Sequence, residues 1–224
     1  MSISKAWNWN EVENEKWLNP CEESYFLSNR WKNLNYKKLL DFGCGLGRHS
    51  IFFTKEGFDV SAFDLSSEAV NHLNDWAKKE KLVIETQIAD MLALPYPDCT
   101  FDCLFAHHVV SHTDTPGIKK IMNEIKRIIR PGGEIFITFC SKETWSFVEE
   151  AGYPKIDENT VIKTDDGPEK DIPHFFVNLD DIIKLFADAK LELVQVRHID
   201  DCYFDGGRGY GKHYFIIAKN KGAA

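Results

Sequence analysis

From Lys37 onward, short apolar runs alternate with amphipathic segments of helical period, and this alternation limits the possible folds more than any other feature. Strands are predicted at KKLLDFG, FDVSAFD, LVIETQIA, FDCLFAHHVV and EIFITFC, and helices at RHSIFFTKEG, SSEAVNHLNDWAKKEK, GIKKIMNEIKRIIR and NLDDIIKLFADAK. Strands that are apolar on both faces fit between two layers of helices. The order predicts a doubly wound α/β fold with a parallel sheet and helices on both faces.

Two further strands are predicted near the C-terminal end, at LELVQVRHI and KHYFIIAKN, joined by the glycine-rich turn DDCYFDGGRGYG. Because two strands joined by a short turn pair antiparallel, the complete prediction is a seven-stranded sheet. It is mostly parallel, with an antiparallel last strand.

Two regions fall outside the alternation. Residues 1–36 are polar and rich in tryptophan, which predicts an N-terminal helical cap whose second helix begins near Pro20. Residues 141–177 lose the periodicity and contain several glycines and prolines, so we predict an irregular insertion there. Long segments of this kind often serve as functional loops or lids. The remainder of 37–224 is predicted to form the main domain.

The net charge of −8 disfavours some classes of partner. Acidic residues are spread along the chain, which argues against binding to nucleic acid or to anionic lipid. No apolar run approaches the roughly 20 residues of a membrane span, and the first residues lack the apolar core of a signal peptide. We therefore predict a cytoplasmic protein without a membrane partner, whose six cysteines are reduced.

The stretch LLDFGCGLGRHS, residues 39–50, places three glycines between a predicted strand and a predicted helix. Because Gly43, Gly45 and Gly47 lack a Cβ, a ligand can lie against the backbone at the carboxyl end of the strand. The helix that follows presents free N–H groups at its N-terminus. The pattern predicts a nucleotide-type pocket; the alternative is an ordinary glycine turn.

Asp64 directly follows the second predicted strand. A carboxylate at this position can accept hydrogen bonds from both hydroxyls of a ribose. Its alternative role is to cap the next helix. Asp64 therefore indicates a ribose without choosing between nucleotide cofactors.

In this order, the motifs resemble the class I S-adenosylmethionine-dependent methyltransferase family from about Lys37 to Asn220. Asp41 to Arg48 match the family's D-x-G-x-G-x-G loop, whereas dinucleotide dehydrogenases prefer G-x-G-x-x-G and would have glycine in place of Arg48. Ala89-Asp90-Met91 resembles the family's adenine clamp. LPYPDCTFDCLFAHHVVSHT resembles its L-P-F-x-D-x-x-F-D stretch with the strand that follows, and IIRPGGEIFIT its usual fifth-strand entry.

The resemblance implies a Rossmann-like fold and S-adenosyl-L-methionine as the cofactor, with S-adenosyl-L-homocysteine as the product. The glycine loop would face the methionine part, the acid after the second strand the ribose, and the acid after the third strand the adenine. The implied cofactor-binding residues are Asp41, Gly43, Gly45, Gly47, Arg48, Asp64, Leu65, Asp90, Met91, Ala106 and His107.

Methyl transfer from a sulfonium is a direct displacement, so the protein mainly aligns donor and acceptor and excludes water. A general base is needed only where the acceptor must lose a proton. Histidine titrates near neutral pH and suits that role. The catalytic candidates are His108, His112 and His213, with His108 preferred and Tyr210 as a further candidate. Each histidine has an alternative role in packing or local hydrogen bonding.

His108 and His112 are also spaced i, i+4, which on a helix places two imidazoles on one face. The zinc pattern H-E-x-x-H requires glutamate at the position of Val109, and the sequence offers no obvious further ligand. We therefore predict no metal.

A small molecule is the predicted acceptor. The residues after the fourth strand read AHHV, where family members that methylate base or glutamine amines often have N-P-P-Y or D-P-P-Y. The N-terminal tryptophans form either a lid over the acceptor or an anchor for a helix. Two other functions stay open: a regulatory module that binds the cofactor without transferring methyl, and an NAD(P)-dependent oxidoreductase, which the glycine spacing and Asp90 disfavour. The sequence sets neither the identity of the acceptor nor the oligomeric state.

Overall fold

The computed structural model describes residues 5–9, 15–202 and 210–222, with the backbone alone for Glu15, Lys16, Cys202 and Tyr210. The predicted turn at 203–209 and the side chain of the candidate base Tyr210 lie outside the described residues. The strands are β1 Lys38–Phe42, β2 Asp59–Asp64, β3 Glu85–Ile88, β4 Phe101–Ala106, β5 Ile129–Ser141, β6 Lys155–Asp157, β7 Thr160–Ile162, β8 Pro173–Val177, β9 Glu192–Cys202 and β10 Tyr210–Lys219. The α-helices are α1 Glu22–Asn33, α2 Arg48–Lys55, α3 Ser67–Glu80, α4 Thr115–Ile128 and α5 Leu179–Asp188.

Seven of these strands form the predicted sheet, in the order β3-β2-β1-β4-β5-β10-β9. All neighbours from β3 to β5 are parallel, and β10 lies antiparallel between β5 and β9. The strand order reverses between β1 and β4, and ligands of open α/β sheets bind outside the carboxyl ends of the strands at such a point. The predicted α/β fold is confirmed.

Alternate residues of the central strands point to opposite faces, and helices cover both of them. Ile135 of β5 belongs to the apolar cluster that contains Ile121 of α4 and Phe186 of α5. The next residue, Phe136, belongs to a different cluster, which contains Trp31 of α1. All these side chains are buried. Among the described helices, none has the length and hydropathy needed to cross a membrane.

Side-chain caps fix where two of the helices begin. Ser66 precedes α3, and its hydroxyl accepts a hydrogen bond from the N–H of Ala69 at 3.3 Å. Asp114 precedes α4, and its carboxylate accepts from the N–H of Gly117 at 2.8 Å. These caps satisfy N–H groups of the first turn that have no partner within the helix. The alternative prediction, in which Asp64 caps α3, is therefore wrong, because Ser66 is the capping residue.

The segment predicted as an irregular insertion, residues 141–177, contains regular structure. Two one-turn 3-10 helices, Trp145–Phe147 and Glu149–Ala151, lead into β6 and β7. β8 then pairs antiparallel with β7 and parallel with the end of β5. Strands of three residues are too short to show a period of two, and Pro173 is tolerated in β8 because it is the first residue of the strand. We call residues 141–177 the insertion.

The N-terminal cap is anchored to the sheet through one buried carboxylate. Glu134 at the start of the paired part of β5 is 2% exposed. It accepts two hydrogen bonds from the Arg30 guanidinium, both at 2.8 Å, and one from the Trp31 indole N–H at 3.1 Å. A buried charge is tolerated where it is paired and hydrogen-bonded in this way. Trp31 therefore has the anchoring role that was one of the two predicted for the tryptophans.

Candidate active site

Residues 43–47, the glycine loop, connect β1 to α2 in a conformation that requires glycine. Gly43, Gly45 and Gly47 have φ values of +69°, +52° and +96°. A Cβ on Gly43 would lie 2.2 Å from Val109, one on Gly47 2.5 Å from Leu73, and one on Gly45 2.6 Å from the Trp9 ring. The loop is therefore packed on both sides.

Asp64 at the end of β2 is bonded to the glycine loop. Its Oδ2 accepts from the N–H of Gly45 at 2.9 Å, and its Oδ1 accepts from the N–H of Ser66, also at 2.9 Å. Burial raises the pKa of the Asp64 carboxyl, and these backbone hydrogen bonds act in the opposite direction. An ionised carboxylate has about four acceptor positions, so two remain for a ligand.

Two other predicted acids lie just behind the cavity wall. Asp41 is 2% exposed and accepts a hydrogen bond from the Ser50 hydroxyl of α2. Asp90 accepts from the N–H of Leu92 at 2.9 Å, while its neighbours Ala89 and Met91 line the cavity. In this structure both acids hold backbone or helix positions next to the site.

Four histidines lie in a row at the carboxyl end of β4, and we call them the histidine row. The ring centroids are separated by 5.4 Å from His49 to His107, 3.9 Å from His107 to His108, and 4.3 Å from His108 to His213. Burial is the first cause that lowers the pKa of each, to about 4 for His213. The lowered pKa favours the neutral imidazoles and makes them weaker bases than a solvent-exposed histidine.

His108 is held in a strained backbone conformation. Its φ is +55°, and its N–H donates to the Thr138 hydroxyl at 2.7 Å. Non-glycine residues seldom occupy this region, and where they do, the surrounding structure holds them in place. His49 joins the row from α2, and the sequence analysis missed it. Its signal was its position in the first turn after the glycine loop.

Three N-terminal tryptophans, the tryptophan cluster, cover the site. The Trp7 ring lies 4.8 Å from Trp9 and 5.0 Å from Trp17. The Arg48 guanidinium lies 5.0 Å from the Trp17 ring, a cation–π contact. The indole nitrogens of Trp7 and Trp9 are buried and have no hydrogen-bond partner among the described residues. This cluster has the lid position that was the other predicted role.

A cavity of about 800 Å³, counted to its open mouth, connects these features. Among the predicted residues, the cavity is lined by Gly43, Gly45, Arg48, Asp64, Leu65, Met91, His107, His108 and His112. The predicted residues that do not line it are Asp41, Gly47, Asp90, Ala106 and His213.

Several known proteins that are similar to this chain are methyltransferases. Residues 39–133 match the family described as "Methyltransferase domain". A curated relative, phosphoethanolamine N-methyltransferase from Triticum aestivum, is 30% identical over 127 residues, which is 52% of this chain and 24% of the relative. The chain thus spans about a quarter of that relative's length.

Solved structures share the fold at low identity. A SAM-dependent methyltransferase from Methanosarcina mazei has a TM-score of 0.69 at 19% identity, covering 81% of this chain and 91% of that one. The 1,6-didemethyltoxoflavin-N1-methyltransferase of Burkholderia thailandensis, solved with S-adenosylhomocysteine, has a TM-score of 0.64 at 15% identity, covering 88% and 78%. The fold is that of a Rossmann-like methyltransferase. Over residues 39–133 the chain is therefore similar to the methyltransferase domain family, and over most of its length it shares the fold of SAM-dependent methyltransferases.

Proposed function

We propose that this chain transfers a methyl group from S-adenosyl-L-methionine to a small-molecule acceptor and releases S-adenosyl-L-homocysteine. The observation that carries the proposal is the joint placement of the glycine loop and Asp64 in one cavity, at the point where the strand order reverses. The match of residues 39–133 to the methyltransferase domain family supports the same cofactor. The B. thailandensis structure, with the same fold, contains the demethylated form of that cofactor.

The residues at the site fit this cofactor. Asp64 retains acceptor capacity for ribose hydroxyls, and Gly45, which lines the same cavity, is proposed to face the methionine part. Asp90 and the backbone N–H of Met91 are proposed for the adenine, because Met91 lines the cavity beside that carboxylate. Arg48 is the cation at the glycine loop and is proposed for the cofactor carboxylate.

When bound, the cofactor supplies a methyl group on a positively charged sulfur. The glycine loop and Asp64 would hold this cofactor, which would supply its methyl group to an acceptor in the same cavity. The chain has to align these groups and exclude water. The tryptophan cluster supports water exclusion, and its rings suit a cationic centre at their faces.

The histidine row supplies the general base where the acceptor carries a proton. His108 is our main candidate because it lines the cavity and is held by Thr138. The His213 ring lies 4.3 Å from the His108 ring, and His112 lines another wall next to Trp7. As the base, His108 would take a proton from an acceptor hydroxyl or ammonium in the cavity that it lines.

A small acceptor fits the enclosure of the site. The N-terminal segment that carries the tryptophan cluster is bonded to the insertion, through the N–H of Asn8 to the Pro168 carbonyl at 3.4 Å and the Lys5 ammonium to the Lys170 carbonyl at 2.9 Å. A nucleic acid or protein acceptor would have to displace this cover.

A metabolite screen tests the activity. The full chain is incubated with S-adenosyl-L-methionine and pools of small hydroxyl, amine and thiol compounds, and release of S-adenosyl-L-homocysteine is measured. At least one pool should give release above the acceptor-free rate. Cofactor binding without release from any pool would favour the regulatory alternative.

A further inference from the structure

The insertion and the loop after β4 bring together two imidazoles and a carboxylate. The Glu169 Oε1 atom lies 3.8 Å from His112 Nε2 and 3.4 Å from His174 Nε2. The three ligand atoms all lie within 4.8 Å of one another. Zinc-type ions bind imidazole nitrogen and carboxylate oxygen at about 2.0 to 2.2 Å. An ion between these atoms would therefore need only small side-chain movements.

The hydrogen bonding of His174 leaves one nitrogen without a partner inside this cluster. Its Nδ1 is 2.9 Å from the carbonyl oxygen of Ile172, which can only accept, so Nδ1 carries the proton. In the neutral ring Nε2 is then a lone pair that faces the Glu169 carboxylate. Nε2 is buried, and no residue that the structure describes forms a hydrogen bond with it. A lone pair directed at a carboxylate is repulsive unless a cation lies between them.

The surrounding backbone holds the three ligands in place. The N–H of Phe175 donates to the carbonyl of Ser111 at 2.7 Å, which joins the neighbours of His174 and His112. The Lys163 ammonium bonds Glu169 Oε2, so Oε1 is the oxygen directed at the imidazoles. Carboxylate ligands of metals are commonly oriented by such outer contacts.

We propose that His112, Glu169 and His174 bind one divalent transition-metal ion of the zinc class. Two imidazoles and a carboxylate suit such an ion, and three protein ligands leave a coordination position for water or another ligand atom. His112 also lines the cavity, so the ion would lie directly behind its wall. The sequence prediction of no metal considered only His108 with His112, which belong to different clusters here.

A second group, Cys21 with His49 and His107, serves as the comparison. There the His49 Nε2 atom already accepts a hydrogen bond from the N–H of Cys21 at 3.3 Å. A cation is therefore disfavoured at that group.

Metal titration of the full chain tests the proposal. Chelator-treated protein is titrated with Zn²⁺ against a competing chelator, and with Co²⁺ while its visible absorption is recorded. The wild type should bind one equivalent. The isosteric Glu169→Gln and the half-exposed His112→Ala should each weaken binding by about 100-fold or more, the upper end of what outer-contact losses cause. Cys21→Ala and the exposed-site control His72→Ala should bind as the wild type does.

Thermal unfolding gives a second readout of metal binding that does not depend on the proposed function. Each variant is compared with its own metal-free Tm, so a general loss of stability is not mistaken for a loss of metal binding. Excess Zn²⁺ should raise the Tm of the wild type and of His72→Ala, because a ligand that binds the folded state stabilises it, but leave the Tm of Glu169→Gln unchanged. Absence of an equivalent of metal in the wild type, or equal binding by Glu169→Gln, would overturn the proposal. Loss of cofactor binding with metal binding retained would count against the proposed function alone.

Discussion

The carboxylate of Asp64 accepts a hydrogen bond from the backbone N–H of Gly45 at 2.9 Å, which joins the end of β2 to the loop after β1. The bond holds a buried charge at the strand reversal, with acceptor positions left for a ligand. It therefore connects the two motifs on which the proposed cofactor site depends.

Replacing this carboxylate should weaken cofactor binding. Asp64→Ala is expected to lose about 2 to 4 kcal/mol of binding free energy for S-adenosyl-L-homocysteine, because two charge-assisted hydrogen bonds disappear. Calorimetry measures the loss directly. Asp59→Ala, at the exposed start of the same strand, is the matched control and should bind normally. Equal affinities for the two variants would remove Asp64 from the ribose site.

A pair of glycine variants separates backbone strain from loss of ligand space. Gly45 and Gly57 both have positive φ, but a Cβ on Gly45 would lie 2.6 Å from Trp9, whereas nothing lies within 4 Å of one on Gly57. Gly57→Ala should cost about 1 to 2 kcal/mol of unfolding free energy for the left-handed backbone, and Gly45→Ala should cost more because its Cβ must displace the Trp9 ring. Only Gly45→Ala should also reduce affinity for the cofactor. Denaturant unfolding and calorimetry on both variants check this, and normal binding by Gly45→Ala would contradict it.

Asp41 should make stability depend on pH. Burial raises the pKa of its carboxyl to about 6, above the value of about 4 in an unfolded chain. The protonated Asp41 carboxyl therefore stabilises the folded state most below pH 4, and this stabilisation is lost as the pH rises through 6. Between pH 4 and 7, Asp41→Asn should gain about 2 kcal/mol of unfolding free energy relative to the wild type. Urea unfolding of both proteins at several pH values measures the difference, and a constant difference would refute the assignment.

The anchor at Glu134 should matter more than an exposed ion pair on the same helix. Arg30→Ala would leave a buried carboxylate with the Trp31 N–H as its remaining cap-side partner, so we expect a loss of about 2 to 3 kcal/mol of unfolding free energy. Lys32→Ala breaks an exposed pair with Glu56 and should cost less than about 1 kcal/mol. Similar losses for both variants would mean that burial of Glu134 is unimportant.

What the sequence predicts well is set by local order along the chain. The glycine loop and Asp64 follow directly on two apolar strands, and the carboxyl ends of parallel strands meet at one edge. Once the strands are recognised in the sequence, the glycine loop and Asp64 are therefore predicted to lie next to each other. The seven-stranded sheet follows from the same pattern.

Contacts between segments that lie far apart in the sequence could not be predicted. Glu169 and His174 reach His112 only because β8 pairs with the end of β5 and the insertion packs against the loop after β4. His49 joins the histidine row through the packing of α2 on the sheet. No local period or residue spacing in the sequence predicts these contacts.

Calorimetric titration of the wild-type chain with S-adenosyl-L-methionine, S-adenosyl-L-homocysteine and NAD tests the central claim most directly. We expect both sulfur nucleosides to bind with one equivalent per chain and NAD to give no binding heat. Tight binding of NAD with no response to either sulfur nucleoside would contradict the proposed function.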